Sequence, residues 1–218
     1  MNSPLIQLLV LAAIAVFLIL RLKNVLGTRE GFEKPPLPQQ PAERSGPAFE
    51  VIEGGPDLDI TDHFDEGTAQ ARALTEMKRI EPSFNVTDFL AGGRGAYEMI
   101  VMGYENGELD QIKDFLAEDI YESFVEGIAA REDQGLTIEA NFIGVREMSL
   151  ENVTLDPDTK EAEMTLKFVA ELTQAVRDKD GEIIEGSLTD VKKQKDSWVF
   201  ARIMGSDDPN WFLVSTDG

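Results

Sequence analysis

One stretch in the second half of the chain, residues 161–177, alternates apolar and polar side chains almost without a break. The apolar positions share one phase of the alternation and are Ala162, Met164, Leu166, Phe168, Ala170 and Leu172. Because successive side chains of a strand point to opposite faces, this pattern is typical of a long β-strand with one buried face. A face of that length requires a second layer to cover it, which constrains the fold more than any other feature of the 218 residues.

Turn sequences divide the rest of this half into further strands. Asp156-Pro-Asp-Thr159 and Asp178-Lys-Asp-Gly181 flank the alternating stretch, and Lys195-Asp-Ser197 follows it. Such Asp-, Pro- and Gly-containing segments favour turns between antiparallel strands. We therefore predict a meander with strands near residues 136–155, 161–177, 182–194 and 197–204.

The covering layer is predicted from residues 84–132, which read as a hairpin of two helices. Apolar residues recur at helical spacing before an Asn106-Gly107 stop and again after it. They are Ala96, Tyr97, Ile100 and Val101 in the first helix, then Ile112, Phe115, Leu116, Ile120, Phe124 and Ile128 in the second. The predicted fold class is α+β, with the helix hairpin packed on a curved antiparallel meander sheet.

The N-terminus carries the pattern of a membrane anchor, assigned to residues 1–26. Residues 4–20 are uncharged and strongly apolar, and with the preceding two residues they approach the roughly 20 that span a bilayer. A cleaved signal peptide is the alternative, but no Lys or Arg precedes the run and its Ala13-Ile-Ala15 triplet lies inside it. A core helix is also disfavoured because no polar residues alternate with the apolar ones. A single span in the lipid bilayer is expected.

Basic residues set the expected orientation of this span. Arg21, Lys23, Arg29 and Lys34 follow the run, and none precedes it. The positive-inside rule then places the C-terminal domain in the cytoplasm, and the lack of a mitochondrial-type presequence favours a bacterial inner membrane. Residues 27–60 are rich in Pro and predict a disordered tether, with a ligand for aromatic grooves as the less common alternative. Residues 61–218 form the predicted domain.

Composition narrows the classes of function. The formal net charge is −21, so binding to the phosphate backbone of nucleic acid is unfavourable. Cysteine is absent, which removes disulfides and thiolate catalysis, and a single histidine leaves little for a zinc site. The helix predicted between Thr61 and Pro82 carries Arg72, Lys78 and Arg79 beside its apolar stripe. This basic patch is read either as a lipid or partner contact or as part of a helix packed on the domain.

Three other motifs favour structural over chemical roles. Gly92-Gly-Arg-Gly95 has neither a dinucleotide fingerprint nor a phosphate-loop ending, so close backbone packing is preferred. His63 is read as part of a helix start rather than an acid–base pair. Asp207, Asp208 and Asn210 carry oxygens that suit a cation, but a turn is preferred. No cofactor and no metal are predicted.

Several segments, in their order along the chain, resemble a known family. Asp88-Phe-Leu-Ala-Gly-Gly-Arg-Gly-Ala-Tyr97, Tyr121-Glu-Ser-Phe124 and Ser206-Asp-Asp-Pro-Asn-Trp-Phe-Leu213 are similar to the carboxy-terminal domain of the mitochondrial inner-membrane translocase subunit forty-four. The resemblance covers about residues 61–218 and is closer still to a bacterial, mainly alphaproteobacterial, branch with one N-terminal membrane helix. Its signature residues are Phe89, Leu90, Asp208, Pro209, Asn210 and Trp211.

The resemblance implies a cone-shaped fold like nuclear transport factor two, with a large apolar pocket, and an adaptor role near protein-translocating machinery. The residues assigned to that pocket are Tyr97, Phe115, Tyr121, Phe124, Ile128, Met164, Leu166, Phe168, Trp198 and Phe200. Only the two tyrosines among them titrate, and a lone tyrosine is more often a core residue than a catalyst. No catalytic residue is therefore predicted.

The function predicted from the sequence is a non-catalytic, membrane-anchored adaptor whose cytoplasmic domain binds a protein of translocation or membrane-insertion machinery. The alternative from another class is a carrier of an apolar ligand such as an acyl chain, or a weak enzyme of the isomerase or dehydratase type. A cavity lined only by apolar groups favours a carrier or a scaffold, and a convergent polar pair favours catalysis.

Overall fold

The computed structural model describes residues 55–217, which form helices followed by strands. The helices are α1 (Leu58–Thr61), α2 (Ala69–Ile80), α3 (Val86–Asn106) and α4 (Glu118–Asp133). Two short 3₁₀ turns, Leu109–Gln111 and Lys113–Phe115, lie between α3 and α4. The strands are β1 (Thr137–Leu155), β2 (Glu161–Arg177), β3 (Ile183–Ile203) and β4 (Phe212–Asp217).

The strands form one antiparallel sheet in the order β1-β2-β3-β4, so the predicted α+β class and meander are confirmed. Strand β2 has the bounds expected from its alternation. Its six apolar positions, from Ala162 to Leu172, are all buried against the helical layer. The period of two in the sequence therefore identified the inner face of the sheet.

Helices α2 and α3 cover that face. Leu74 and Met77 of α2 and Ile100 of α3 are fully buried, and both helices pack on β1. Gly93 brings the backbone of α3 close to β2, since a Cβ atom at this position would lie 2.6 Å from Leu166 Cδ1. The close packing expected of the glycine-rich segment therefore applies to Gly93.

The ends of α3 follow from local chemistry. Asn85 precedes the helix, and its side-chain oxygen accepts a hydrogen bond from the Asp88 amide at 3.0 Å. At the other end Gly107 has a φ of 74°, the left-handed conformation that glycine adopts without steric cost. The predicted stop at Asn106-Gly107 is confirmed.

Two helix predictions are wrong in detail. Ile112, Phe115 and Leu116 were assigned to the second helix of the hairpin but lie in or beside the 3₁₀ turns, and α4 begins later. The first helix was expected to run unbroken from Thr61 to Pro82. It is divided into α1 and α2, because Gly67 has a φ of 81° and Thr68 caps a new helix by accepting from the Ala71 amide.

Two strand predictions are also corrected. The turn expected at Lys195-Asp-Ser197 does not form, because β3 runs through it and Asp196 pairs with Phe168 of β2. The Asp196 carboxylate is buried and hydrogen-bonded, so a polar residue is accommodated inside the strand. Strand β4 was not predicted; it pairs with β3 after the Asp208-Pro-Asn-Trp211 segment.

The folded part begins before the predicted boundary at residue 61. Helix α1 includes Leu58 to Ile60 of the predicted tether, and Ile60 is only 5% exposed. The predicted anchor at residues 4–20 lies outside the described residues. Within residues 55–217, no helix has both the length and the apolar character needed to cross a membrane.

Candidate binding site

A groove of about 340 Å³ lies between the N-terminal half of α3 and the loop that leads into β4. Its apolar lining is mainly aromatic, and the aromatic residues are Phe84, Phe89, Phe115, Phe200 and Trp211. Most of the signature residues that carry the family resemblance border this groove, so we call it the signature groove. Residues about 120 positions apart in the sequence therefore meet at one surface.

The aromatic rings pack edge to face around Phe89. The Trp211 ring lies 4.7 Å from the Phe89 ring, centroid to centroid, and the Phe200 ring lies 6.3 Å from it. Phe84 approaches Trp211 at 6.2 Å. These separations are in the range in which aromatic pairs attract beyond their buried area. Trp211 remains partly exposed and presents an apolar surface to solvent.

A buried ion pair holds the loop that forms one side of the groove. Arg202 of β3 donates from Nη2 to Glu81 and from Nη1 to the Pro209 carbonyl, the latter at 3.0 Å. Glu81 also accepts from the Gly205 amide at 3.2 Å. Burial alone would raise the pKa of Glu81, but the hydrogen bonds from Arg202 and Gly205 outweigh it and hold that pKa below its usual value. Glu81 and Arg202 are therefore both ionised, and their opposite charges cancel within the pair.

The Arg202 side chain also contacts the groove aromatics. Its guanidinium carbon lies 5.3 Å from the centroid of the Trp211 ring. Its buried Nε has no hydrogen-bond partner among the described residues. The electron-rich face of the indole stabilises the cation at this distance. Arg202 thus orients both the backbone at Pro209 and the ring at Trp211.

Helix α3 supplies a glycine and a carboxylate to the groove. Gly92 borders it and is exposed, and a Cβ atom added there would meet nothing within 4 Å. Asp88, one turn earlier, is exposed at the rim and forms no salt bridge within residues 55–217. With Glu81 neutralised by Arg202, the uncompensated charge at the groove is negative.

Of the six signature residues, four border the groove: Phe89, Pro209, Asn210 and Trp211. Asp208 shapes the loop instead, since its Oδ1 accepts from the Asn210 amide at 2.9 Å. Leu90 is partly buried against the core. Within the described residues no group of three or more His, Asp or Glu side chains is placed to hold a metal ion. The hydrogen bond from the Asn210 amide to Asp208 fits the turn preferred for Asp207, Asp208 and Asn210.

The ten residues assigned to a single apolar pocket do not line one cavity. Phe115 and Phe200 border the signature groove, whereas Phe124 and Trp198 border a second cavity of about 530 Å³ between α3, α4 and β3. Ile128 borders a third cavity beside α4. The others are core residues packed against each other: Tyr97, Met164, Leu166 and Phe168 are fully buried, and Tyr121 is partly buried.

Side chains fill the space where the central pocket was expected. The Tyr97 ring stacks on Phe168 at 4.3 Å and lies 4.6 Å from the Trp198 ring. The close approach of α3 at Gly93 brings these rings into contact with the sheet. The prediction from the sequence was right that these residues face the interior, but it was wrong that they surround a cavity. Periodicity indicates which face of an element is buried, but it does not indicate how far away the opposite layer lies.

A buried polar pair within this core was missed. The Tyr97 hydroxyl donates a hydrogen bond to Asp196, which also accepts from Gln194 Nε2 at 3.0 Å. Burial raises the pKa of Tyr97 well above its ordinary value, and the neighbouring Asp196 carboxylate raises it further. Asp196 is two and four residues before Trp198 and Phe200, so the same period of two was the signal that would have found it.

The predicted basic patch is largely neutralised. Lys78 Nζ lies 2.7 Å from Asp57 and 2.8 Å from Asp59, and Arg79 pairs with Glu76 at 2.9 Å. Arg72 is exposed. Since two of the three cations are already paired with carboxylates, the helix does not present a basic surface for lipid headgroups.

Comparison with known proteins relates the chain to mitochondrial import subunits. It is 21% identical over 145 residues to the mitochondrial import inner membrane translocase subunit TIM44-1 of Arabidopsis thaliana, covering 66% of this chain. It is 26% identical over 139 residues to subunit TIM44 of Homo sapiens, covering 62% of this chain. The matched part spans 30% of the length of each relative.

Two further matches concern the domain itself. The crystal structure of the intermembrane space region of chloroplast protein ARC6 aligns with a TM-score of 0.41 at 12% identity, covering 59% of this chain and 94% of that chain. Residues 70–218 match the Tim44-like domain, and this range contains α3, the Asp-Pro-Asn-Trp loop and the whole sheet. With more than half of its length matched in this way, the chain belongs to the Tim44-like domain family.

Proposed function

We propose that this chain is a non-catalytic adaptor that binds a protein segment in the signature groove while residues 4–20 hold it in a membrane. The observation that carries the proposal is the groove itself, in which signature residues of α3 and of the loop before β4 form a largely aromatic lining with Trp211 partly exposed at its surface. A buried ion pair braces this surface without offering a free acid or base. Recognition of a partner requires such a preformed apolar concavity with few polar groups.

The names of the relatives support the proposed location of this chain near protein-translocating machinery. Both are subunits of a mitochondrial import inner membrane translocase, and we infer by analogy a place for this chain beside protein translocation or insertion machinery in a bacterial inner membrane. The orientation inferred from Arg21 and Lys23 puts the groove in the cytoplasm. Because the matched part spans 30% of each relative, their partner contacts are not transferred to this chain.

The buried polar pair supports a non-catalytic role. A convergent pair such as Tyr97 and Asp196 would favour catalysis if a substrate reached it. Asp196 borders the second cavity, but Tyr97 is fully buried and its hydroxyl is directed to the Asp196 carboxylate. A general acid or base has to lie within hydrogen-bond reach of the reacting atom. The pair fits a role in joining α3 to β3.

The proposal is tested by photo-crosslinking in membranes from cells that produce the full chain. A photoreactive amino acid in place of Asn210, at the rim of the groove, is expected to give a discrete adduct with one protein. The same amino acid in place of Lys167, exposed on β2, is the matched control and is expected to give none. Adducts with lipid alone at position 210 would favour the carrier alternative, and the absence of any protein adduct there would contradict the adaptor proposal.

A further inference from the structure

We propose that the signature groove binds an extended protein segment in which one large apolar side chain is followed or preceded by Lys or Arg. The apolar side chain would pack over Gly92 and against the exposed part of the Trp211 ring, and the cation would pair with Asp88. This inference rests on the adaptor function proposed above and names the chemistry of its partner.

The size of the groove fits a side chain with its adjoining backbone. Its volume of about 340 Å³ is near the lower end of the range for ligand sites, roughly 300 to 1,000 Å³. A phospholipid with two acyl chains would not be enclosed. The partly exposed Trp211 and the exposed side chain of Asn210 lie at its edge, where an apolar contact and a hydrogen bond to the backbone of the segment can be made together.

No contact within the described residues fills the space over Gly92, which, unlike that over Gly95, lies in the groove. Glycine in a helix interior destabilises the helix relative to alanine. Gly93 is explained by its contact with Leu166, but a Cβ atom at Gly92 would enter open space. The space over Gly92 is therefore available to a ligand and is part of the groove.

Charge selects against an anionic occupant. The carboxylate of Glu81 is neutralised by Arg202, which leaves Asp88 as the unpaired charge bordering the groove in the described part of the chain. The whole chain carries a formal charge of −21. A fatty acid carboxylate or a phospholipid headgroup would be repelled, whereas a basic segment would be attracted and would associate faster at low salt.

The N-terminus of α3, which in other proteins is an anion site, is already occupied by side chains of this domain. The amides of Val86 and Thr87 donate to Asp59 at 2.8 and 3.0 Å, and the Asp88 amide donates to Asn85 at 3.0 Å. With these amides satisfied, the helix end offers little to a phosphate or carboxylate. The groove therefore lacks the usual device for binding an anion.

The test uses the full chain in nanodiscs and three capped, fluorescently labelled pentapeptides measured by anisotropy. The first has the sequence Gly-Lys-Phe-Lys-Gly, the second replaces Phe by Ala, and the third replaces both Lys by Glu. We expect the first to bind at least about tenfold more tightly than either of the others. Laurate is the competitor that represents an acyl chain.

Two variants with matched controls locate the site. Gly92→Leu fills the groove and should abolish binding of the Lys-Phe-Lys peptide, while Gly95→Leu, an exposed glycine of the same helix outside the groove, should retain it. Asp88→Asn should weaken binding several-fold and reduce its salt dependence, while Glu98→Gln should change neither. Thermal melts check that all four proteins are folded.

The outcomes separate this inference from the adaptor function. Displacement of the peptide by laurate at equal concentration, or equal affinity for the Lys and Glu peptides, would overturn the inference about the occupant. So would unchanged binding in Gly92→Leu. Protein crosslinks at position 210 that are found alongside those results would leave the adaptor function standing with a different ligand, whereas the absence of protein crosslinks at position 210 would remove both.

Discussion

At the scale of single residues, Asp59 joins three helices through one carboxylate. It lies in α1 and accepts hydrogen bonds from the Val86 amide at 2.8 Å and from the Thr87 amide and hydroxyl, each at 3.0 Å. Lys78 of α2 contacts it at 2.8 Å. Burial alone would raise the pKa of Asp59, but these donors outweigh it and lower the pKa to about 2. The ionised form is therefore part of the native structure.

The lowered pKa predicts an acid-sensitive contribution to stability. A carboxyl whose pKa falls from 3.8 to about 2 on folding contributes on the order of 2 kcal/mol above pH 4, and this is lost as the pH falls through 2. Asp59→Asn should lower the free energy of unfolding by about that amount at pH 7 and by clearly less near pH 2.5. Urea unfolding at both pH values measures the difference. Asp158→Asn, in the exposed β1–β2 turn, is the control, and equal losses in the two variants would contradict the assignment.

Tyr97 and Tyr121 offer a matched pair of tests for the buried polar pair. Tyr97→Phe removes a donor from the buried Asp196 and should cost about 1 to 3 kcal/mol. Tyr121→Phe removes a hydroxyl that makes no hydrogen bond within residues 55–217, so stability should hardly change. Urea unfolding measures both. Both folded variants should still restore growth to a deletion strain, and failure of folded Tyr97→Phe to do so would favour the enzyme alternative.

The sequence predicted the burial of single residues correctly where a regular alternation determines which side chains are buried. Met164, Leu166 and Phe168 are buried because an unbroken alternation leaves one face for the core. The hydrogen-bonding partners of Asp196 and Asp59 were not predictable in this way. Asp59 pairs with groups 19 to 28 positions away in the sequence and Asp196 with Tyr97, 99 positions away, and such pairings depend on the packed structure.

At the scale of elements, the glycine-rich segment of α3, residues 92–95, contains three glycines in different environments. Gly93 contacts Leu166, Gly92 borders the groove, and Gly95 is exposed without a neighbour within 4 Å of an added Cβ. The sequence pattern identified the helix and its end at Gly107. It did not distinguish the three glycines, because which face of α3 approaches β2 is set by the sheet.

Substitution by alanine should have opposite effects on stability at two of these glycines. Gly95→Ala should stabilise the domain by about 0.5 to 1 kcal/mol, since alanine is the better helix former and nothing obstructs it. Gly93→Ala should destabilise it by about 1 to 3 kcal/mol, because the methyl group would lie 2.6 Å from a fully buried leucine. Thermal and urea unfolding of both variants test this. A stabilised Gly93→Ala protein would show that α3 can move away from the sheet without cost.

Two of the element boundaries that were wrong share one physical cause. The hairpin connection and β4 are fixed by contacts between distant segments: the Ala117 amide donates to the Leu213 carbonyl at 2.9 Å, and Leu116 pairs with Leu213. These contacts keep residues 112–116 out of α4 and bring the last residues into the sheet. Helical spacing of apolar residues was compatible with either arrangement.

At the scale of the whole molecule, the apolar N-terminal run and the charged domain predict one topology. We predict that residues 4–20 span the membrane and that the following basic residues lie on the cytoplasmic side. Protease added to intact spheroplasts should leave the domain uncut, and digestion should follow only after the cells are permeabilised. A periplasmic marker protein is the control for access. Cleavage of the domain in intact spheroplasts would reverse the orientation and place the groove on the other side of the membrane.

The last prediction concerns the residue at which the stable domain begins. A fragment of residues 55–218 keeps α1, whereas a fragment of residues 62–218 loses the buried Ile60 and the Asp59 carboxylate that caps α3. The lost burial is worth roughly 1.5 to 3 kcal/mol and the lost cap about 1 to 2 kcal/mol. The sum is a large fraction of the roughly 5 to 15 kcal/mol that holds a domain folded.

The shorter fragment should therefore melt at a markedly lower temperature and be cut faster by trypsin under native conditions. Lys78 explains part of the difference, since it would lose both of its carboxylate partners, Asp57 and Asp59. The double variant Asp59→Asn/Ile60→Ala in the longer fragment should reproduce most of the loss, because it removes the same cap and burial at unchanged length. Equal melting temperatures of the two fragments would show that α1 does not stabilise the domain. The boundary of the stable domain would then lie near residue 61, as expected from the sequence.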